Sequence, residues 1–147
     1  KDAADVAMAT ATECEAGSSI ALLQGLSRPV NINDCPSDHM ILDIGEKSIE
    51  LYKRIISSSK TILWNGPLGA FETKPFDKGT NALAKHTSLI TVNKKCVSVA
   101  GGGDTVSALN SINVTADFSY VSSAGGAFLE WLEGKELPGI KAINLSK

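Results

Sequence analysis

Apolar and polar positions follow one another in blocks along this chain, and the period of the blocks changes from strand-like to helix-like and back. Met40-Ile41-Leu42-Asp43-Ile44 is a short apolar run stopped by Gly45, which predicts a buried strand. Glu46-Lys47-Ser48 then opens a stretch in which Ile49, Tyr52, Ile55 and Ile56 share one face of a helix, and Ser57-Ser58-Ser59 closes it. Thr61 to Trp64 predicts the next strand, ended by Asn65-Gly66-Pro67. Pro75-Phe76-Asp77 sets up a second helix with Leu83 and Ala84 inward, ending before Asn93. Cys96 to Ala100 predicts a third strand and Val106 to Asn110 its helix. Phe118 to Val121 predicts a fourth strand, and Ser122 to Gly126 leads from it into a helix over Ala127 to Leu132. Leu137-Pro138-Gly139 reads as a turn before a short tail.

The pattern is weaker before Met40. Asp5 to Ala9 suits a short inner strand, while the alanine-rich run to Ala16 suits a helix equally well. Ala16 to Pro36 reads mostly as loop, with one extended piece at Val30-Asn31-Ile32. The four strand-then-helix steps predict an α/β fold, a parallel sheet with helices on both faces. Ligands of such sheets sit at the carboxyl ends of the strands. Four joints fall there: Asp43 to Gly45, Asn65 to Gly69, Gly101 to Thr105, and Ser122 to Gly126. Three of them carry glycine with small hydroxyl, amide or acid groups.

The densest joint is Gly101-Gly102-Gly103-Asp104-Thr105. Glycine allows close backbone approach to a ligand, and the free amides of a following helix favour an anion. Asp104 and Thr105 add the hard oxygens that suit Mg²⁺ and phosphate. The stretch fits neither G-x-x-x-x-G-K-[ST] nor G-x-G-x-x-G. A tight turn in which Asp104 only caps the helix is the competing reading.

Bulk properties narrow the classes. The 147 residues amount to one domain, with 43% apolar and 20% charged positions, ordinary for a soluble globular protein. A net charge of −2 argues against nucleic acid or an anionic membrane as the main partner. Cys14, Cys35 and Cys96 are odd in number and widely spaced, which suits structural thiols in a reducing compartment. The sequons at Asn113 and Asn144 read as coincidental in a chain without a secretory signal. The start, Lys1-Asp2-Ala3-Ala4, reads as an excerpt from something longer.

Three motifs in order resemble the phosphoglycerate kinase family. Trp64-Asn65-Gly66-Pro67-Leu68-Gly69-Ala70-Phe71-Glu72 is similar to its W-N-G-P-x-G-x-F-E segment, and Gly101 to Thr105 to its G-G-G-D-[ST] loop. Ser122 to Ala127, with Leu129-Glu130, Leu132 to Lys135 and Leu137-Pro138-Gly139, resembles its closing S-T-G-G-G-A…L-E-x-L-E-G-K-x-L-P-G run. The resemblance covers Met40 to Gly139; only Asp5-Val6 and their neighbours extend it upstream. Ser123 and Ala124 stand where the family has threonine and glycine, and Ile41 is bulkier than the glycine of some members.

The resemblance implies a two-domain hinge kinase of glycolysis, cytoplasmic and monomeric, using ATP or ADP and Mg²⁺. It makes residues 1–147 a single partial domain, most of the nucleotide-binding C-terminal half of a Rossmann-like three-layer fold truncated at its N-terminal side. Glu72 would then accept hydrogen bonds from the ribose, Asn65 would lie beside the phosphates and Leu42 on the adenine. Asp104 would hold the Mg²⁺, with Gly102, Gly103 and Thr105 lining the phosphates. The amides near Gly125 and Gly126, with Gly102, would face the transferring phosphoryl group. The phosphate-binding lysines and the phosphoglycerate-binding N-terminal domain would precede Lys1, so this chain alone is expected to be inactive and, with an open sheet edge, to self-associate. A non-catalytic nucleotide- or phosphate-binding α/β module and a purely structural fragment are the alternatives.

Overall fold

The fold is that of a computed structural model, which describes residues 5–10, 28–31 and 39–145. Cys14, Cys35 and most of the predicted loop from Ala16 to Pro36 lie outside the described residues. Among the described residues six strands and five α-helices follow in the order β1 (Asp5–Thr10), β2 (Arg28–Asn31), β3 (His39–Ile44), α1 (Glu46–Ser58), β4 (Thr61–Asn65), α2 (Lys78–Val92), β5 (Val97–Gly101), α3 (Gly103–Ser111), β6 (Tyr120–Ser122), α4 (Gly125–Leu132) and α5 (Pro138–Leu145).

The strands form two sheets. β4, β5 and β6 make a parallel sheet in that order, with Trp64 opposite Ala100 and Val99 opposite Tyr120. This is the α/β core expected from the alternation of elements. β3 does not join it. It pairs antiparallel with β1, which pairs antiparallel with β2. An apolar run fixes an extended backbone but not the neighbour it bonds, and Met40 and Ile41 turn out to be exposed. The Asp5 to Ala9 stretch, open between strand and helix, is strand β1. The expected turn at Leu137 to Gly139 is instead the start of α5, with Pro138 at the first helical position, where its missing N–H costs nothing.

The main core lies between the parallel sheet and α1, α2 and α3. Trp64, Ala100, Leu83, Ala84, Ile49, Leu109, Val114 and Phe118 are buried together, and the Trp64 and Phe118 rings meet edge-on at 6.3 Å. Leu83 and Ala84 point inward as their spacing predicts. The α1 face is only half used, since Ile49 is buried while Tyr52 and Ile55 remain exposed. α1 stops where Ser58 and Ser59 hydroxyls both donate to the Ile55 carbonyl, competing with the next helical turn. On the opposite sheet face, Val99 and Tyr120 share a cavity of ≈ 400 Å³ with Ala127, Leu137 and Ile140. Helices therefore flank both faces.

Buried polar groups fasten α2 to the sheet. Ser98 sits fully buried in β5 and exchanges bonds with Ser119: each amide donates to the other's hydroxyl, at 3.1 and 3.2 Å. The Thr91 and Ser98 hydroxyls are bonded at 2.9 Å. Cys96 is a buried free thiol beside Thr91.

Candidate functional site

Three loops meet where the parallel strands end. Asn65 closes β4, Gly101 closes β5 and Ser122 closes β6. The Gly102 amide donates to the Ser122 carbonyl at 3.0 Å, joining the second loop to the third. Approach is so close that side chains are excluded. A Cβ on Gly125 would lie 2.7 Å from Gly102 Cα and 2.8 Å from Asn65 Oδ1, and one on Gly102 would lie 2.9 Å from the same oxygen. Gly102 also has φ of 100°, a region that disfavours any side chain. Gly103 and Gly126 are exposed with open space beside them.

Gly102 precedes α3 and offers no side chain to cap it, so the first-turn amides have no side-chain acceptor. Such a helix start favours an anion. Asp104 stands exposed as the second residue of the helix, while the N-cap position belongs to Gly102, so Asp104 does not cap the helix. Thr105 is buried, and its Oγ1 accepts from the Gly66 amide at 2.7 Å.

The loop after β4 is pinned at alternate residues. Besides Gly66, the Leu68 amide donates to Thr80 Oγ1 on α2 at 3.0 Å, and the Ala70 amide to the Leu42 carbonyl of β3 at 2.9 Å. The Trp64 indole N–H donates to the Gly66 carbonyl at 2.7 Å. Held in this way, the loop forms an open cleft of ≈ 290 Å³ lined by Pro67, Gly69, Ala70, Phe71, Glu72, Thr73 and Asp104. Glu72 and Asp104, 32 positions apart by subtraction of their numbers, thus share one cleft. Leu42 meets this loop through its carbonyl; its side chain does not line the cleft.

Of the nine residues singled out in the sequence, Asn65, Gly102 and Gly125 converge directly, Thr105 supports them from beneath, and Glu72 and Asp104 face the cleft. Gly103 and Gly126 flank the same loops. Two supporting residues carried no motif signal. Thr80 is buried in the first turn of α2, and Asp43 is buried at the end of β3. Asp43 Oδ2 accepts from the Gly79 amide and Oδ1 from its neighbour Ile44, both at 2.8 Å. Burial pushes its carboxyl above the usual 3.8, against the pull of those two amides. The hints in sequence are an acid inside an apolar strand run and its place at one of the four strand-end joints.

Ala124 donates its amide to Ser122 Oγ at 3.1 Å, forming a short hydroxyl turn ahead of α4. Among the described residues no group of three His, Cys, Asp or Glu could hold a metal by itself. A single carboxylate beside bound phosphates is nevertheless a usual setting for Mg²⁺, and Asp104 offers one.

Fold and site together define an open α/β domain whose working end is the row of loops at the carboxyl ends of its parallel strands. A family profile described as phosphoglycerate kinase matches residues 2–135. The chain belongs to the phosphoglycerate kinase family. It is 57% identical over 116 residues to the phosphoglycerate kinase of Zymomonas mobilis, a match that covers 79% of this chain and 29% of that protein. It is 58% identical over 118 residues to that of Agrobacterium fabrum, covering 80% and 30%. The solved phosphoglycerate kinase of Coxiella burnetii superimposes with a TM-score of 0.75 at 40% identity, over 93% of this chain and 32% of the other. The chain therefore spans about 30% of the length of the curated relatives it matches.

Proposed function

We propose that this chain is most of the nucleotide-binding, C-terminal domain of a phosphoglycerate kinase. In the complete protein it would serve reversible phosphoryl transfer between 1,3-bisphosphoglycerate and ADP, giving 3-phosphoglycerate and ATP, in the cytoplasm. The observation that carries this reading is the shared cleft of Glu72 and Asp104 beside the Asn65–Gly102–Gly125 convergence. On this reading Glu72 binds the ribose hydroxyls in the cleft, and Leu42, which meets the cleft loop from outside the cleft, packs on the adenine. Asn65, Gly103 and Thr105 attend the phosphates. Asp104 would hold the nucleotide's Mg²⁺, which would supply charge neutralisation along the phosphate chain. The amides at Gly102, Gly125 and Gly126 face the moving phosphoryl group and favour the charge it develops.

Among the described residues no lysine or arginine lines the cleft. Phosphoryl transfer depends on cationic stabilisation of the equatorial oxygens. The 147-residue chain is therefore proposed to bind nucleotide weakly and not to turn over, with the phosphoglycerate-binding domain and further cations supplied by the rest of the protein. The same lack of cations favours, as a second reading, a binding module without chemistry. Titration of Mg-ADP by calorimetry, beside Asp104→Ala, tests the site. The expected result is weak binding that the variant loses; equal binding by the variant would overturn the assignment of Asp104. Turnover of 3-phosphoglycerate with ATP by this chain alone would overturn its proposed inactivity.

A further inference from the structure

The motif residues describe what faces the cleft, but not what holds the loop carrying Glu72 in place. That loop rests on the end of β3. A Cβ on Gly69 would lie 2.5 Å from the Leu42 carbonyl oxygen, 2.8 Å from Asp43 Oδ1 and 2.9 Å from the Phe76 carbonyl. The other oxygen of the same carboxylate takes the Gly79 amide at 2.8 Å. Gly79 is likewise packed so tightly on Asp43 and Ile44 that no side chain fits. Thr80, the next residue, is 1% exposed and spends its Oγ1 on the Leu68 amide. One buried carboxylate thus touches the loop at Gly69 and, through the first turn of α2, reaches it again at Leu68.

We infer that Asp43 is a positioning residue for the nucleotide site: it seats the start of α2, and Thr80 and Gly69 pass that placement to the 66–72 segment and so to Glu72. The inference deepens the proposed function and rests on it for the role of Glu72. Its geometry does not depend on any ligand. An asparagine at position 43 is nearly isosteric but turns one of the two acceptors into a donor, which sets it against either the Gly79 or the Ile44 amide. A full hydrogen bond lost at a buried site corresponds to about tenfold in the opening of the groups it held.

The test uses the complete protein with Asp43→Asn, Glu72→Ala and the two combined. Amide hydrogen exchange is followed at Leu68 and Ala70, with Val99 and Ala100 of β5 as internal reference. Binding of Mg-ADP and of its 2′,3′-dideoxy analogue is measured beside it. Asp43→Asn is expected to speed exchange at Leu68 and Ala70 about tenfold, leaving β5 unchanged. It is expected to weaken ADP by a similar factor and the dideoxy analogue much less, and to add little in the Glu72→Ala background. Thr80→Val supplies a second arm should Asp43→Asn fail to fold; it is expected to speed exchange at Leu68. Unchanged exchange at Leu68 in both variants overturns the inference whatever the nucleotides do. Equal loss of both nucleotides in Asp43→Asn also overturns it, because the effect then does not run through Glu72. If Glu72→Ala itself leaves the preference for ADP over its analogue intact, the assignment of Glu72 fails instead, and the exchange data still decide the role of Asp43.

Discussion

Two neighbouring glycines show how much a single Cβ can decide. Gly125 is pressed against Gly102 and Asn65, whereas a Cβ on Gly126 would meet nothing within 4 Å. Gly125→Ala must therefore push apart two strand-end loops, at a cost of about 1–3 kcal/mol typical of overpacking, while Gly126→Ala should leave stability within about 0.5 kcal/mol. Urea unfolding of the two variants side by side checks this, and equal midpoints would contradict the packing described. Asp43 offers a pH signature. Its folded pKa is raised, mainly by burial and further by Asp77, with the Gly79 and Ile44 amides and Lys78 pulling it down. The folded chain therefore holds this proton more tightly than the unfolded one. The resulting contribution to stability is fully present below pH 3.8 and is lost as pH rises through the folded value. Subtracting the Asp43→Asn stability curve from that of the unsubstituted chain should give a difference that falls with pH across that window. A flat or rising difference would show that burial does not control this group.

Strands, helices and their joints were legible in sequence to different degrees. The clustering of glycine, asparagine and aspartate at strand ends marked those joints as candidate sites, although tight turns draw on the same residues. Glu72 and Asp104 were visible in the same way, each inside a long motif. Partner choice was not legible. Val6 pairs with Ile44 across an antiparallel ladder, and nothing in the residues of β3 says whether its neighbour is β1 or β4. Nor did periodicity reveal Asp43 or Thr80, whose work lies in hydrogen bonds to backbone amides 36 and 12 residues away. The Ser98–Ser119 exchange is another such tie. It carries contact between β5 and the segment before β6 beyond the point where the parallel ladder begins, at Val99 and Tyr120. Ser98→Ala strips one acceptor from the Ser119 amide and a partner from Thr91, and is expected to cost about 1–3 kcal/mol. Denaturant midpoints will measure it; a loss below about 0.5 kcal/mol would mean that water replaces the hydroxyl.

At the scale of the whole chain, the outstanding feature is the apolar surface around β4. Leu63 is 43% exposed on one face of the sheet, and Tyr52, Ile55 and Leu68 line a cavity of ≈ 300 Å³ beside it. Within the described sheet, β4 is an edge strand. Parallel sheets are ordinarily covered, and an unpaired edge is a template for another chain. The 147-residue chain is expected to self-associate in the micromolar range, and Leu63→Lys to shift it toward monomer. Light scattering that finds the unsubstituted chain monomeric throughout would contradict this. Trp64 lies on the same strand but faces the other way, edge-on to Phe118 in the core while its indole N–H holds the Gly66 carbonyl of the cleft loop. Its emission therefore samples the hydrophobic interior and the working end of the molecule at once. With Trp131 replaced by phenylalanine, this chain carries its own optical gauge, in which cleft occupancy and loss of the core can be followed as separate changes in the light of a single ring.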